Sequence, residues 1–186
     1  MEPLAIPSSK PHNLNEPMTG IPVPLEPDSS MPLAEIHIEE LLGTKLLKKH
    51  SRLSDKERET RYAVEEIDIA EVKQARFVLL FFSAGWCQPC NEFLQVLKDF
   101  YNEVNIDKKQ VEIVFISSDT EESGFRETYA QMPWLTFRFS DEKHSKIKEK
   151  FEIIGVPMVL VLEAESGFCI TKKGRKDIYD IGVRAI

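Results

Sequence analysis

Phe81-Phe82-Ser83-Ala84-Gly85-Trp86-Cys87-Gln88-Pro89-Cys90 joins an apolar run to a helical pattern and sets two of the chain's three cysteines at the turn between them. A Cys-x-x-Cys pair at such a turn puts one thiol at a helix N-terminus and its partner within disulfide reach, which is a layout for redox chemistry. Cys87 falls at or just before the first helical residue, where unsatisfied backbone N–H groups and the positive end of the helix dipole favour the thiolate. Thiolate is the attacking species in disulfide exchange, so Cys87 is the expected nucleophile. Cys90, one turn further in and less exposed, is the expected resolving thiol. Pro89 lacks an N–H and presets a helical φ, which suits the first turn. Trp86, between Gly85 and Cys87, reads as a flat wall beside the sulfur rather than as a core aromatic. Gln88 leaves the direction of electron flow open, since related pairs span roughly −270 to −120 mV.

A zinc site is the competing reading of two close cysteines. Zinc needs four ligands, and Cys169, His12, His37, His50 and His144 supply no second Cys-x-x-Cys or closely spaced His pair. No metal is expected. Cys169, after Phe168 in an apolar segment, reads as a small buried hydrophobe.

Downstream of the cysteines, apolar residues at Phe93, Leu94, Leu97, Phe100, Tyr101 and Val104 recur at helical spacing and give one core-facing stripe. Upstream, Phe77 to Phe82 is short and continuously apolar, as a strand buried on both faces would be. Val111 to Ile116 is a second such strand. Glu121 to Gln131 has helical spacing, with Ser118 or Asp119 as the candidate cap. Asp141 to Phe151 reads as a polar helix or loop. Pro157 to Leu162 and Phe168 to Lys172 read as two strands joined by a turn at Glu163 to Gly167. Strand, helix, strand, helix and a closing hairpin is an α/β order whose first half requires parallel pairing through right-handed crossovers. Before the core, Lys45 to Lys48 and Tyr62 to Ile69 suggest an N-terminal β-hairpin around a polar loop at Ser54 to Glu59, with one more helical turn at Ala70 to Ala75.

The chain has 186 residues, 42% of them hydrophobic, which suffices for one ordinary core. Its net charge of −7 argues against nucleic acid or an anionic membrane as the main partner, because both need a basic face. The cluster Lys48, Lys49, His50 and Arg52 is too small to reverse that. No stretch approaches the roughly 18 apolar residues of a membrane helix, and the N-terminus lacks the features of a secretory signal. An odd cysteine count with one close pair fits a reducing compartment, so the cytoplasm or the nucleus is expected. Eight of the eleven prolines lie between Pro3 and Pro32, so residues 1–33 read as a disordered, Pro-rich tail and 34–186 as the folded domain.

The run from Phe82 to Cys90 resembles the active-site segment of the nucleoredoxin and tryparedoxin branch of the thioredoxin superfamily, which typically has Trp-Cys-Pro-Pro-Cys. Three further segments agree in order and spacing: Ser117-Ser118-Asp119 before an acidic helix start, Met132-Pro133-Trp134-Leu135, and Ile154-Gly155-Val156-Pro157 opening a strand. Ile170 to Lys176 is similar to nucleoredoxin-like proteins in particular. The resemblance covers roughly residues 41–186.

It implies a thioredoxin-like α/β fold, a central mixed sheet flanked by helices. It also implies a cis Val156–Pro157 bond that sets the Val156 backbone opposite Cys87, so that Trp86, Pro89, Val156 and Pro157 line the substrate groove. The implied activity is that of a monomeric thiol-disulfide oxidoreductase of the protein-disulfide reductase type. It would act on protein disulfides, draw electrons from an upstream thiol or reductase, and need no cofactor. The alternative is a redox-regulated binding protein of nucleoredoxin-like type with little turnover.

Two departures stand out. Many thioredoxins have a buried Asp where this chain has Phe81, so the proton of Cys90 must pass to water or to another carboxylate. Asp119 is the candidate, with a helix cap as its other reading. The sequence also stops short of the family's final helix: Asp177 to Ile186 supplies at most a short one, and each large apolar side chain left uncovered forgoes ~1.5 to 3 kcal/mol.

Overall fold

Seven strands form one mixed sheet in the computed structural model, which describes residues 37–49 and 64–185. In chain order the elements are α1 (Ile38–Leu42), β1 (Lys45–Lys49), β2 (Val64–Asp68), α2 (Ile69–Val72), β3 (Phe77–Ser83), α3 (Gln88–Val104), β4 (Val111–Ser117), α4 (Glu122–Ala130), β5 (Leu135–Thr136), α5 (Lys143–Lys150), β6 (Met158–Glu163), β7 (Cys169–Thr171) and α6 (Gly174–Ile181). A 3₁₀ turn over Gly182–Ala185 follows. The strand order is β2-β1-β5-β4-β3-β6-β7. The expected Pro-rich tail and the polar loop at Ser54 to Glu59 lie outside the described residues.

The two central strands are continuous apolar runs because both their faces are covered. Every residue of β3 and of β4 is buried. Val78, Leu80 and Phe82 of β3 face a core completed by α1, α2 and α5 through Leu42, Val72 and Ile147. Leu79 and Phe81 face the opposite core, completed by α3, α4 and α6 through Phe93, Tyr129 and Ile178. Phe81 sits among rings, edge-on to Phe93 at 5.9 Å and to Trp134 at 6.1 Å between centroids. Trp134 is a core residue with no exposed surface.

Register brings the functional loops to one end of the sheet. β3 and β4 pair in parallel from Phe77 opposite Val111 to Ser83 opposite Ser117. Their following loops, one with the cysteines and one with Asp119, are therefore neighbours. β6 runs antiparallel to β3 with Met158 opposite Phe82, which delivers Pro157 to the same end.

Several boundaries differ from the sequence reading. The N-terminal hairpin is present, with Lys45 opposite Asp68, but Ile69 leaves the strand because the Asp68 carboxylate accepts the Ala70 N–H and starts α2. The helix α1 was not expected; it stops at Gly43, whose φ of 76° suits glycine. β5 is a two-residue strand that bridges β1 and β4, too short to carry a period. Neither Ser118 nor Asp119 caps α4: the N-cap is Glu121, without a side-chain bond, because the Asp119 carboxylate is turned back towards the cysteine loop.

The closing helix is short, as expected, but starts earlier. It begins at Gly174 rather than Asp177 and runs eight residues before the 3₁₀ turn. Gly174 permits this early start, since a Cβ there would lie 3.0 Å from the Val159 carbonyl oxygen and from a Val161 methyl. With Ile178 and Ala185 buried in the second core, that sheet face is covered.

Candidate active site

Cys87 is the N-cap of α3, in extended conformation, and Gln88 and Pro89 form the first helical turn. Cys87 and Cys90 are joined by a disulfide with their Cα atoms 5.2 Å apart. Cys90 is 1% exposed and Cys87 6%, so both are buried and Cys87 is the more accessible of the two. Trp86 beside it is 68% exposed, which makes its indole a surface wall and not a core ring.

The peptide bond between Val156 and Pro157 is cis. The Val156 carbonyl oxygen lies 3.7 Å from Cys87 Sγ. An oxidised sulfur has no proton to donate, so this is a contact and not a hydrogen bond. Val156 and Pro157 are half-buried and Pro89 is exposed. Val156 packs on the small cluster of Ala84, Cys87 and Cys90. Ile154, two residues earlier, is almost wholly exposed.

Sequence reasoning missed the support behind this loop. Asp119 Oδ1 accepts the Gly85 N–H at 2.8 Å, and its Oδ2 accepts the Ser117 hydroxyl at 2.8 Å. Ser117 Oγ in turn accepts the Asp119 N–H at 2.9 Å. The Ser117 N–H is donated to His144 Nδ1 at 3.0 Å, while the Arg138 carbonyl, 3.0 Å from Nε2, accepts the proton on that nitrogen. These two partners fix one neutral tautomer. Burial pushes the His144 pKa down to about 4, against opposing contributions that include the Arg138 carbonyl. Lys148 Nζ donates to the Ser117 carbonyl at 3.0 Å, and burial lowers its pKa while the Asp119 charge opposes the shift. On the other side of the loop, Asn91 Nδ2 donates to the Gly85 carbonyl at 3.3 Å. Asn91, directly after Cys90, could have been noticed in the sequence. His144, 57 positions from Cys87 by their numbering, carried no such signal.

A groove of about 380 Å³ runs beside Trp86, lined by Gly85, Asn91, Asp119, Glu121 and Glu127 among others. Gly85 has no space for a side chain, because a Cβ would collide with the Thr128 hydroxyl.

A thioredoxin-like family model matches residues 75–168. A nucleoredoxin from Danio rerio is 37% identical over 106 residues, covering 56% of this chain. The chain spans 25% of that relative's length. A tryparedoxin from Trypanosoma brucei brucei is 35% identical over 104 residues, covering 55% of this chain and 72% of the relative. The crystal structure of tryparedoxin I from Crithidia fasciculata superimposes with a TM-score of 0.65 at 27% identity, covering 77% of this chain and 91% of that one. With a shared fold, a family match over half its length and a tryparedoxin matched over most of its own, the chain belongs to the thioredoxin-like family, in its nucleoredoxin and tryparedoxin branch.

Proposed function

We propose that the chain is a thiol-disulfide oxidoreductase acting on protein disulfides, with Cys87 as nucleophile and Cys90 as resolving thiol. The observation that carries this reading is the Cys87–Cys90 disulfide at the start of α3, with Cys87 the less buried of the pair, next to exposed Trp86 and in contact with the Val156 carbonyl. In the reduced protein the N-terminus of α3 stabilises a Cys87 thiolate. That thiolate attacks one sulfur of a substrate disulfide, forming a mixed disulfide and releasing the other sulfur as a thiolate that takes up a proton. Cys90 then loses its proton and attacks Cys87 Sγ. The intramolecular disulfide forms, the second substrate thiol leaves, and two electrons have passed to the substrate. An upstream dithiol or reductase restores the reduced pair.

Trp86, Pro89, Val156 and Pro157 form the groove for an extended substrate segment, and the Val156 carbonyl is the group placed to pair with its backbone. The cytoplasm or the nucleus, where thiols stay reduced, is the compartment that suits a reductase of this kind. Covalent trapping tests the assignment of roles. Cys90→Ser incubated with a disulfide-bonded protein accumulates an adduct on Cys87 that dithiothreitol releases, and Cys87→Ser forms none. An adduct of equal yield in Cys87→Ser would overturn the assignment.

A further inference from the structure

The Gly85 peptide is held from both sides. Its N–H is donated to Asp119 Oδ1 at 2.8 Å and its carbonyl accepts from Asn91 Nδ2 at 3.3 Å. Asp119 is itself fixed by two bonds to Ser117, whose N–H and carbonyl are in turn bound by His144 and Lys148 of α5. The segment that carries Trp86 and Cys87 is thus fastened to the end of β4 and to α5 on one side, and to its own helix on the other. The Thr128 hydroxyl of α4 fills the space that a Cβ on Gly85 would need.

From this geometry we propose that Asp119 and Asn91 are positioning residues for disulfide exchange. They clamp the Gly85 peptide so that Cys87 Sγ stays against the Val156 carbonyl and Trp86 stays projected beside it. The proposal rests on the exchange reading above for its consequence, but the clamp itself is a property of the loop. Both Asp119 oxygens accept hydrogen bonds within the loop support, so the part proposed for it is to hold the loop. Asp119 contributes the stronger grip, because its bond to Gly85 is short at 2.8 Å whereas that of the exposed Asn91 is long at 3.3 Å.

Two measurements on the full chain test this. The first is amide hydrogen exchange of the segment containing Gly85, and the second is the second-order rate of Cys87–Cys90 reduction by dithiothreitol at neutral pH, which requires no substrate turnover. Asp119→Ala raises exchange at Gly85 at least tenfold and changes the reduction rate at least threefold, and Asn91→Ala moves both in the same direction by less. Asp119→Asn keeps an acceptor for the Gly85 N–H without the charge, so it recovers most of the protection and of the rate. Circular dichroism and thermal unfolding of each variant establish that it is folded.

Asp119→Asn as impaired as Asp119→Ala would show that the charge is what is used and would overturn the clamp. Wild-type exchange and reduction rates in Asp119→Ala would also overturn it. Failure of the exchange reading looks different: the wild type would then show the clamp effects but would turn over no protein disulfide.

Discussion

Asp119 Oδ1 accepts the Gly85 N–H at 2.8 Å, across the join between two parallel strands that end side by side. The bond ties the turn after β4 to the turn that carries Trp86 and Cys87. It brings a residue two positions beyond Ser117 against the loop of Cys87, 32 positions earlier in the sequence. The same closeness leaves Gly85 no room for a side chain, which gives a direct stability test.

Gly85→Ala forces the new methyl into the Thr128 hydroxyl. Overpacking of this kind costs about 1 to 3 kcal/mol. Thr128→Ala removes the obstructing oxygen, and its own lost bond is one to the Gly124 carbonyl within α4. The double variant therefore recovers part of the loss, and a double-mutant cycle in urea unfolding measures the coupling.

Glu112 is 2% exposed and its carboxylate is held by Lys109 at 2.5 Å, by the Tyr101 hydroxyl at 3.1 Å and by the Ile113 N–H at 2.9 Å. Burial, then the Glu112 charge, raises the Tyr101 pKa far above its ordinary value, so the phenol stays a donor. Tyr101→Phe removes that donor from a buried anion and destabilises the fold by about 1 to 3 kcal/mol. Redox turnover stays at the wild-type level, because the network lies at the opposite end of β4. Chemical denaturation beside a turnover assay checks both halves.

His144 couples stability to pH. Burial lowers its pKa from 6.5 to about 4, so between these values the unfolded chain binds a proton that the folded chain refuses. Stability is full above pH 6.5 and falls as the pH drops towards 4, by up to about 1.4 kcal/mol per unit. His144→Gln flattens the fall between pH 6 and 5, where most carboxylates are still ionised. Urea midpoints for both proteins over that range decide it, and parallel curves would rule His144 out as the cause.

Trp86→Ala separates surface function from stability. The indole is 68% exposed, so its loss changes unfolding free energy by no more than about 0.5 kcal/mol. Under the groove assignment it raises KM for protein disulfides several-fold while dithiothreitol still reduces the pair at a near wild-type rate. Equal KM values for the two proteins would remove Trp86 from the groove.

The parts of the fold readable in the sequence are those whose signal is local. Phe77 to Phe82 and Val111 to Ile116 read as buried strands because both faces of each are covered, and the Cys87 turn read as a helix start because the helical stripe begins directly after it. What escaped depends on placement in three dimensions. β5 has two residues and exists only because β1 and β4 flank it. The final helix was expected from Asp177, and only the close approach of Gly174 to Val159 shows why it can begin three residues earlier. Asp119 read as a cap from its position before a helix and as a proton acceptor because parallel strands end on the same side; that β3 and β4 end together was legible, but the bond from its carboxylate to the Gly85 N–H was not. His144 is polar in a polar segment, and only the packing of α5 against the end of β4 reveals it as an acceptor for the Ser117 N–H.

Cys87 is proposed to turn over protein disulfides. The most direct test is steady-state reduction of a disulfide-bonded protein by the full chain with a dithiol as donor, run beside Cys87→Ser. The wild type gives many turnovers per molecule, and Cys87→Ser falls to the rate of the dithiol alone. A wild-type rate no faster than the dithiol alone, or a Cys87→Ser rate equal to the wild type, would contradict the account.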